Sequence, residues 1–207
     1  MSAQPEKGDA PDKDKRRQIL NGAREVFLAK GYEGASMDAI AKASGVSKGT
    51  LYVYFDNKDE LFVALTAEEK RAISEAICTL EPHGGSFREN LETFAVNFCE
   101  LLTAAGHISS LRMVIGAVEK FPGVGEVYFR NGAERGATRL TEVFEQAIAD
   151  GRMRPCDPKV AAQHFVALCT SEVLKRALFA ADANPAHETV VKTVRDGLDV
   201  FWAYYGR

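Results

Sequence analysis

A short polar segment of the chain combines hydrogen-bond donors with a glycine at the start of a predicted helix. Ser47 can cap this helix, and its hydroxyl, like the side chains of Lys48 and Thr50, can bond phosphates or base edges. Gly49 lies between them and would let the backbone approach a partner closely. The major groove of DNA is about 12 Å wide and displays the donors and acceptors of the base edges. The segment is therefore a candidate DNA-recognition helix.

Two tyrosines belong to the same predicted helix. Leu51 and Phe55 have the i, i+4 spacing that predicts burial. Tyr52 and Tyr54 lie on a different side of the same predicted helix. The tyrosine hydroxyls can reach phosphates, and the rings can touch the methyl group of a thymine. Taken one at a time, the tyrosines could equally be half-buried packing residues, and the serines could be ordinary helix caps. Only the combination of all these residues in this order indicates DNA binding.

Three predicted helices position this segment. The first covers residues 13–30 and ends before Gly31. Ser36 caps a short second helix that ends at Gly45, and Ser47 caps the third. The first helix carries an apolar stripe at i, i+4, i+7 and i+8, which consists of Ile19, Ala23, Val26 and Phe27. Two short capped helices around a glycine-containing turn predict a helix-turn-helix.

Apolar stripes predict six further helices. The fourth is capped by Asn57 and continues to Ile77. The others cover residues 87–102, 111–118, 124–150 (with Gly132 and Gly136 as candidate break points), 157–180 and 185–205. No segment alternates with period two, so we expect an all-α fold of about nine helices. The expected regions are a flexible tail (1–12), the helix-turn-helix domain (13–57) and a larger helical domain (58–207).

Charge differs between these regions. The chain carries a net charge of −3, but residues 16–58 hold seven basic and four acidic side chains. The resulting charge of about +3 contrasts with about −5 over residues 59–207. Four of the basic side chains are expected to form a solvated rim that adds general affinity for DNA, namely Arg16, Arg17, Lys30 and Lys42. The distribution predicts local phosphate binding by a small basic module on an acidic body.

Signatures of other functions are not apparent in the sequence. The four cysteines form no CxxC pair, and the four histidines do not pair at metal-ligand spacing, so we expect no metal and no cofactor. No GxSxG motif frames a nucleophile, which argues against the alternative of an all-α enzyme. No apolar stretch approaches the roughly 18 to 20 residues of a membrane span, and the first residues lack the apolar segment of a signal peptide. We expect a cytoplasmic protein that is not an enzyme and has no membrane partner.

Residues 16–62, with SKGTLYVYF at 47–55, resemble the DNA-binding domain of the tetracycline-repressor (TetR) family without a gap. The stretch RMVIGAVEKFPGVG is similar to the C-terminal domain of its multidrug-efflux-regulator (AcrR) branch. The resemblance implies all-helical homodimers that usually repress a promoter and are released by a small ligand. It also implies that Ser36 and Lys58 anchor phosphates on either side of the recognition helix. Met37 stands where the family often has a polar residue, and it can offer a base-methyl contact rather than a hydrogen bond.

Aromatic and apolar side chains are numerous in the larger domain, and effector pockets are usually apolar, aromatic-lined and set between helices. The candidate pocket residues are Phe94, Phe98, Arg112, Met113, Phe121, Phe129, Phe144, Phe165 and Cys169. For each of them an ordinary core position is the alternative. Arg112 and Glu119 could orient a ligand or form a salt bridge. Glu172 and Arg176, spaced i, i+4, could form an ion pair or a dimer contact.

These features predict a ligand-responsive transcriptional repressor. Its expected partners are double-stranded operator DNA with pseudo-palindromic half-sites, a small apolar or amphipathic effector, and a second copy of the chain bound through the last two helices. A DNA-binding activator or architectural protein without an effector is the alternative. We further expect the fourth helix to act as a continuous rod from Asn57 to Ile77 that carries motion from the ligand to the recognition helix.

Overall fold

The computed structural model describes residues 10–65, 84–119, 122–128, 134–180 and 182–207, and these residues are mostly helical. In chain order the helices are α1 (Ala10–Gly34), α2 (Met37–Ser44), α3 (Lys48–Tyr54), α4 (58–65, its described part), α5 (Phe87–Thr103), α6 (Ala105–Ala117), α7 (Pro122–Tyr128), α8 (Glu134–Ala149), α9 (Pro158–Leu178) and α10 (His187–Tyr205). Within these ranges, β-structure is limited to one isolated bridge between Met153 and Gly206. The prediction of an all-α fold is confirmed.

The first helix starts earlier than the sequence suggested. It begins at Ala10 rather than at Lys13, so residues 10–12 of the predicted tail are helical, and residues 1–9 lie outside the described residues. Asp12 in the first turn favours this start, since a carboxylate is stabilised at the positive end of the helix dipole. Gly31, the predicted end, interrupts the helix with a φ of 68° and a ψ of 174°.

Later boundaries also differ from the predictions. The sixth helix begins at Ala105, directly after α5, instead of at residue 111. The predicted helix 124–150 corresponds to two described helices, α7 and α8, and residues 129–133 between them lie outside the described residues. The predicted fourth helix is described as far as residue 65. Its remainder to Ile77, and with it the expected rod, lies outside the described residues.

The chain divides into two compact units, of which the first contains the described residues of Met1–Glu68 and Met113–Gly125. In this unit α1 packs closely on α2 at Gly22, where a Cβ atom would lie 2.3 Å from the hydroxyl oxygen of Ser44. The Nε2 atom of Gln18 donates to the Ser44 carbonyl at 2.6 Å, and the buried Ser44 hydroxyl donates to the Ile19 carbonyl at 3.2 Å. These bonds satisfy the polar groups at the contact.

The core of the first unit fixes the orientation of α3. Its largest fully buried side chains are Ile19, Leu20, Phe27, Ile40, Leu51, Phe55, Leu61, Phe62 and Leu65. Leu51 and Phe55 are thus buried, as their spacing predicted, and α1, α2 and α4 supply the other side chains of this core. The opposite face of α3 is consequently exposed.

The second compact unit contains the described residues of Glu69–Arg112 and Glu126–Arg207. Its core is built by α5, α8, α9 and α10, and phenylalanine rings fill much of it. Helices α9 and α10 approach each other closely at Gly197, where a Cβ atom would lie 2.3 Å from the carbonyl oxygen of Leu168. Among the described residues no helix is long and apolar enough to cross a membrane. In the same ranges no cluster of three or more His, Cys, Asp or Glu side chains is arranged to hold a metal ion.

Candidate nucleic-acid interface

Two side-chain caps and a glycine shape the turn between α2 and α3. Ser36 caps α2 by accepting a hydrogen bond from the amide of Ala39 at 3.2 Å. Gly45 ends α2 in the left-handed conformation (φ 63°, ψ 32°), which glycine adopts without steric cost. Ser47 caps α3 by accepting from the Thr50 amide at 3.0 Å. The helix-turn-helix therefore follows directly from residues at the helix ends.

The outward face of α3 is only partly the one expected from the sequence. Tyr52 is 44% exposed and Tyr54 is half-buried, whereas Val53 between them is 81% exposed. Val53 lies roughly 200° around the helix from the buried Leu51, so it points straight outward. Gly49, one turn earlier, is also exposed. Val53 is not among the residues predicted for this face, although its position two residues after the buried Leu51 is a usable signal in the sequence.

The hydroxyl groups at the start of α3 are already engaged with each other. The Oγ atom of Ser47 and the Oγ1 atom of Thr50 are 2.8 Å apart and share a hydrogen bond. Each hydroxyl can both donate and accept, so one of the two keeps a donor for an outside acceptor. Ser47 is exposed and Thr50 is half-buried.

Lys48, the first residue of α3, forms an ion pair that the sequence analysis did not foresee. Its Nζ atom lies 2.6 Å from a carboxylate oxygen of Asp38 in the first turn of α2. The hydrogen bond that Lys48 donates to Asp38, and then the negative charge of Asp38, raise the pKa of Lys48 above its ordinary value. Both side chains are exposed, so the pair remains open to competition from other ions.

Lys58, an expected phosphate anchor, is held against the end of α1. Its Nζ atom donates to the carbonyls of Tyr32 at 3.1 Å and Glu33 at 3.5 Å, and it lies 4.6 Å from the centre of the Tyr32 ring. The hydroxyl of Tyr32 donates to Asp59, and burial together with this bond raises the pKa of Tyr32. An ammonium group has three donors, so Lys58 can cap α1 and keep one for another acceptor.

The first turn of α1 contacts the end of α3. Tyr54 donates a hydrogen bond to Asp12, and this bond raises the pKa of Tyr54. The guanidinium carbon of Arg16 lies 5.2 Å from the centre of the Phe55 ring. The side chain of Tyr54 is thus oriented by α1. Met37, in the first turn of α2, is half-buried.

The candidate effector residues do not all lie in the same part of the structure. Five of them belong to the aromatic core of the second unit, namely Phe94, Phe98, Phe144, Phe165 and Cys169. Ring centres in this group lie 5.5 Å apart for Phe94 and Phe98, 6.1 Å for Phe94 and Phe165, and 5.8 Å for Phe144 and Phe165. Met113 is buried and belongs to the first compact unit. Phe121 and Phe129 lie outside the described residues.

Arg112 has a structural partner in the second unit. Its Nε atom donates to the carbonyl of Leu178, and its Nη2 atom donates to that of Ala177, both at 2.8 Å. The last carbonyls of α9 are thereby satisfied by a cation, which also suits the negative end of the helix dipole. Arg176 and Glu172 form the predicted i, i+4 ion pair, with an N···O distance of 3.6 Å.

Two family descriptions match most of the chain. Residues 19–65 match the bacterial regulatory proteins of the tetR family, and residues 89–207 match the C-terminal domain of AefR-like transcriptional repressors. These are families of transcriptional regulators rather than enzymes. The expected resemblance of the N-terminal part is thus confirmed.

Individual proteins agree with the family match. An uncharacterised HTH-type regulator of Bacillus subtilis, YhgD, is 28% identical over 72% of this chain and 77% of its own. The crystal structure of a TetR-family regulator from Mesorhizobium loti superposes with a TM-score of 0.86 at 23% identity, covering 96% of this chain and all of that one. The flavonoid-responsive regulator FrrA superposes with a TM-score of 0.80 at 27% identity, covering 94% and 98%. The chain belongs to the tetR family of bacterial transcriptional regulators, with a C-terminal domain of the AefR-like type.

Proposed function

We propose that this regulator is a repressor that binds a pseudo-palindromic operator as a homodimer and is released by a small apolar effector. The observation that carries the DNA-binding part is the exposed face of α3, which presents Gly49 and Val53 with Lys48 beside them. The surplus of positive charge in residues 16–58 supports binding to a polyanion. Residues 13–57 would read DNA, and residues 58–207 would bind the effector and the second subunit.

The proposed DNA contacts divide into positioning and reading groups. Hydroxyl and ammonium groups on either side of α3 would bind phosphates and fix the register, while the face of α3 would meet the base edges. The residues assigned to the interface are Ser36, Met37, Ser47, Lys48, Gly49, Thr50, Tyr52, Tyr54 and Lys58. Lys58 would use the donor that remains after it has capped α1.

The proposed dimer is formed by α9 and α10. Both helices expose apolar side chains, namely Val160 and Leu168 on α9 and Val200 and Tyr204 on α10. Pairing these helices about a two-fold axis would give a four-helix interface. The two recognition helices would then reach half-sites about one helical turn, roughly 34 to 36 Å, apart.

The proposed effector binds in the second unit among the helices that carry Phe94, Phe98, Phe144 and Phe165. The stacked and edge-to-face rings of this group are the kind of surface that takes up a planar apolar molecule. FrrA, which is similar over nearly the whole chain, is flavonoid-responsive. A flavonoid aglycone is therefore a suitable first probe for this chain.

The DNA-binding proposal is tested by selection of duplexes from a randomised library with the full-length protein, followed by titration of the selected duplex at several salt concentrations. We expect a palindromic sequence and a linear fall of the logarithm of affinity with the logarithm of salt concentration. Lys48→Met should reduce the salt slope by about one. Failure to enrich any sequence, or a Lys48→Met slope equal to that of the unchanged protein, would argue against the proposal.

The effector proposal is tested by calorimetric titration of the flavonoid aglycone with and without the selected duplex. Because allosteric coupling is reciprocal, an effector that weakens operator binding must itself bind more weakly in the presence of operator, by the same factor. Phe98→Leu keeps the core apolar but removes a stacked ring, so it should weaken the response to the probe and leave duplex binding nearly intact. Equal affinities for the probe in both titrations would exclude this mechanism of release.

A further inference from the structure

Among the described residues of the first unit, the most exposed large apolar side chain lies on the recognition helix α3. Val53 is 81% exposed, while Leu51, two residues before it, is fully buried. A β-branched residue loses side-chain freedom in a helix, so valine is a poor choice for an exposed helical position unless its isopropyl group has a partner. The partner must come from outside the first unit, because the side chain points directly away from the core of that unit.

Gly49 supports this inference independently. It lies one turn before Val53 on the same face, and its φ is not in the left-handed region. A Cβ atom at this position would meet only the Ser47 hydroxyl, at the ordinary contact distance of 3.8 Å. Packing within the chain therefore does not require glycine here, although glycine weakens a helix. A partner surface that approaches α3 closely at this point would account for glycine at position 49.

The surroundings of these two residues favour DNA as that surface. Lys48 and Thr50 lie beside Gly49, and the surrounding module carries the positive charge that complements phosphates. Within the major groove, the base edges are polar except for the 5-methyl group of thymine. An isopropyl group that enters the groove therefore has one apolar group among the base pairs to contact.

We propose that Val53 packs against the 5-methyl group of a thymine in each operator half-site, in the space that Gly49 leaves open. The inference rests on the proposed function and adds to it a specificity-determining residue and the base that this residue reads. Thymine would be preferred over cytosine and over uracil at this position, because both lack the methyl group.

The test removes the methyl group from the DNA and the isopropyl group from the protein in turn. In the duplex selected by the full-length protein, each thymine is replaced singly by deoxyuridine, and affinity is measured by fluorescence anisotropy. The unchanged protein should lose about fourfold in affinity at one thymine per half-site, as expected for one buried methyl group. Val53→Ala should bind more weakly to the original duplex and be insensitive to uracil at that position.

Two further variants serve as controls. Val53→Thr keeps the shape of the side chain and one of its two methyl groups, so its sensitivity to uracil should lie between those of Val53→Ala and the unchanged protein. Leu28→Ala changes an exposed apolar residue on α1, outside the proposed interface, and should keep the full sensitivity. Because the side chain is exposed, Val53→Thr should unfold at about the temperature of the unchanged protein, and Val53→Ala at that temperature or slightly above it, since alanine favours the helix.

Three results would overturn the inference. If Val53→Ala has the same uracil profile as the unchanged protein, Val53 does not read a thymine, while DNA binding itself still stands. If Val53→Ala or Val53→Thr instead changes the molecular mass in solution, the residue belongs to a protein contact. If the full-length protein selects no duplex, the proposed function fails, and the inference fails with it.

Discussion

The ammonium group of Lys48 lies 2.6 Å from the carboxylate of Asp38, so the first residue of α3 is tied to the first turn of α2. Both side chains are more than half exposed, and such pairs add little to stability. The pair matters more for binding, since a phosphate that approaches Lys48 must compete with Asp38, and Asp38 itself repels phosphates. Asp38 thus competes with DNA phosphates for the ammonium group of Lys48.

Replacing Asp38 by asparagine should tighten binding to DNA of any sequence by a few-fold at low salt. The change removes both the competing carboxylate and its repulsion of phosphates, and the gain should shrink as salt screens the charges. Salt titrations of the selected duplex and of a random duplex measure this effect. Asp150→Asn, an equal charge change at an ion-paired position in the second unit, is the matched control. Equal gains for the two variants would show that only net charge matters.

Gly22→Ala should destabilise the protein by about 1 to 3 kcal/mol. The added Cβ would lie 2.3 Å from the Ser44 hydroxyl and 2.5 Å from its backbone nitrogen, and the backbone cannot rotate away as a long side chain could. Gly116→Ala in α6 is the control, because nothing lies within 4 Å of a Cβ there. Unfolding in urea, followed by circular dichroism, should show a loss for Gly22→Ala and equal or higher stability for Gly116→Ala. Similar midpoints for both variants would contradict the close contact of α1 and α2.

The helix-turn-helix could be predicted from the sequence because its determinants are local. Ser36 and Ser47 cap helices within three residues of themselves, and Gly45 ends α2 by its own backbone conformation. Leu51 and Phe55, which are buried, lie one helical turn apart. Interactions of this range are visible in the order of the residues alone.

Interactions between distant residues could not be predicted in this way. Lys58 donates to carbonyls 25 and 26 residues away, and Arg112 donates to carbonyls 65 and 66 residues away. Backbone carbonyls carry no signature in the sequence, so the sequence favours a ligand or an ion pair for both side chains instead. The exposure of Val53 is different, because it follows from the local spacing relative to the buried Leu51 and could have been predicted.

The two buried thiols of the second unit should resist alkylation in the folded protein. Burial raises the pKa of Cys99 to about 11 and that of Cys169 to about 12, so at pH 8 at most about one thiol in a thousand is the reactive thiolate. Because the pKa values are raised, reactivity should increase tenfold for each pH unit as long as the fold is kept. Half-buried Cys156, whose pKa is raised less, should react before either of these two.

Iodoacetamide labelling with peptide mass spectrometry resolves the individual cysteines. In urea all of them should react at similar rates, and this is the control for the intrinsic reactivity of each site. Fast labelling of Cys169 in the native protein, at a rate near that of Cys156, would show that α5, α9 and α10 open readily or pack differently. The same measurement with a bound effector would report whether the aromatic core around Phe165 tightens.

A single arginine on the exposed apolar surface of α9 and α10 should convert the proposed dimer into a monomer. The close approach of the two helices at Gly197 brings Leu168 of α9 beside the turn that leads to Val200, which is 59% exposed. One turn further along α10, Tyr204 is 70% exposed. We expect the three side chains to belong to one apolar surface, and a charge within it would be buried without a partner in a dimer.

Light scattering should give about 45 kDa for the unchanged protein, twice the chain mass of 22.6 kDa, and the monomer mass for Leu168→Arg and Val200→Arg. Leu28→Arg, the same kind of change at an exposed position of α1, should leave the mass unchanged. The monomeric variants should also lose at least tenfold in affinity for a palindromic duplex, because each subunit then binds its half-site alone. They should keep the salt slope of a single half-site, which shows that the recognition helix itself remains folded. A dimer mass for both variants would place the subunit contact elsewhere on the protein, and a monomer mass for the unchanged chain at micromolar concentration would remove the basis for a palindromic operator.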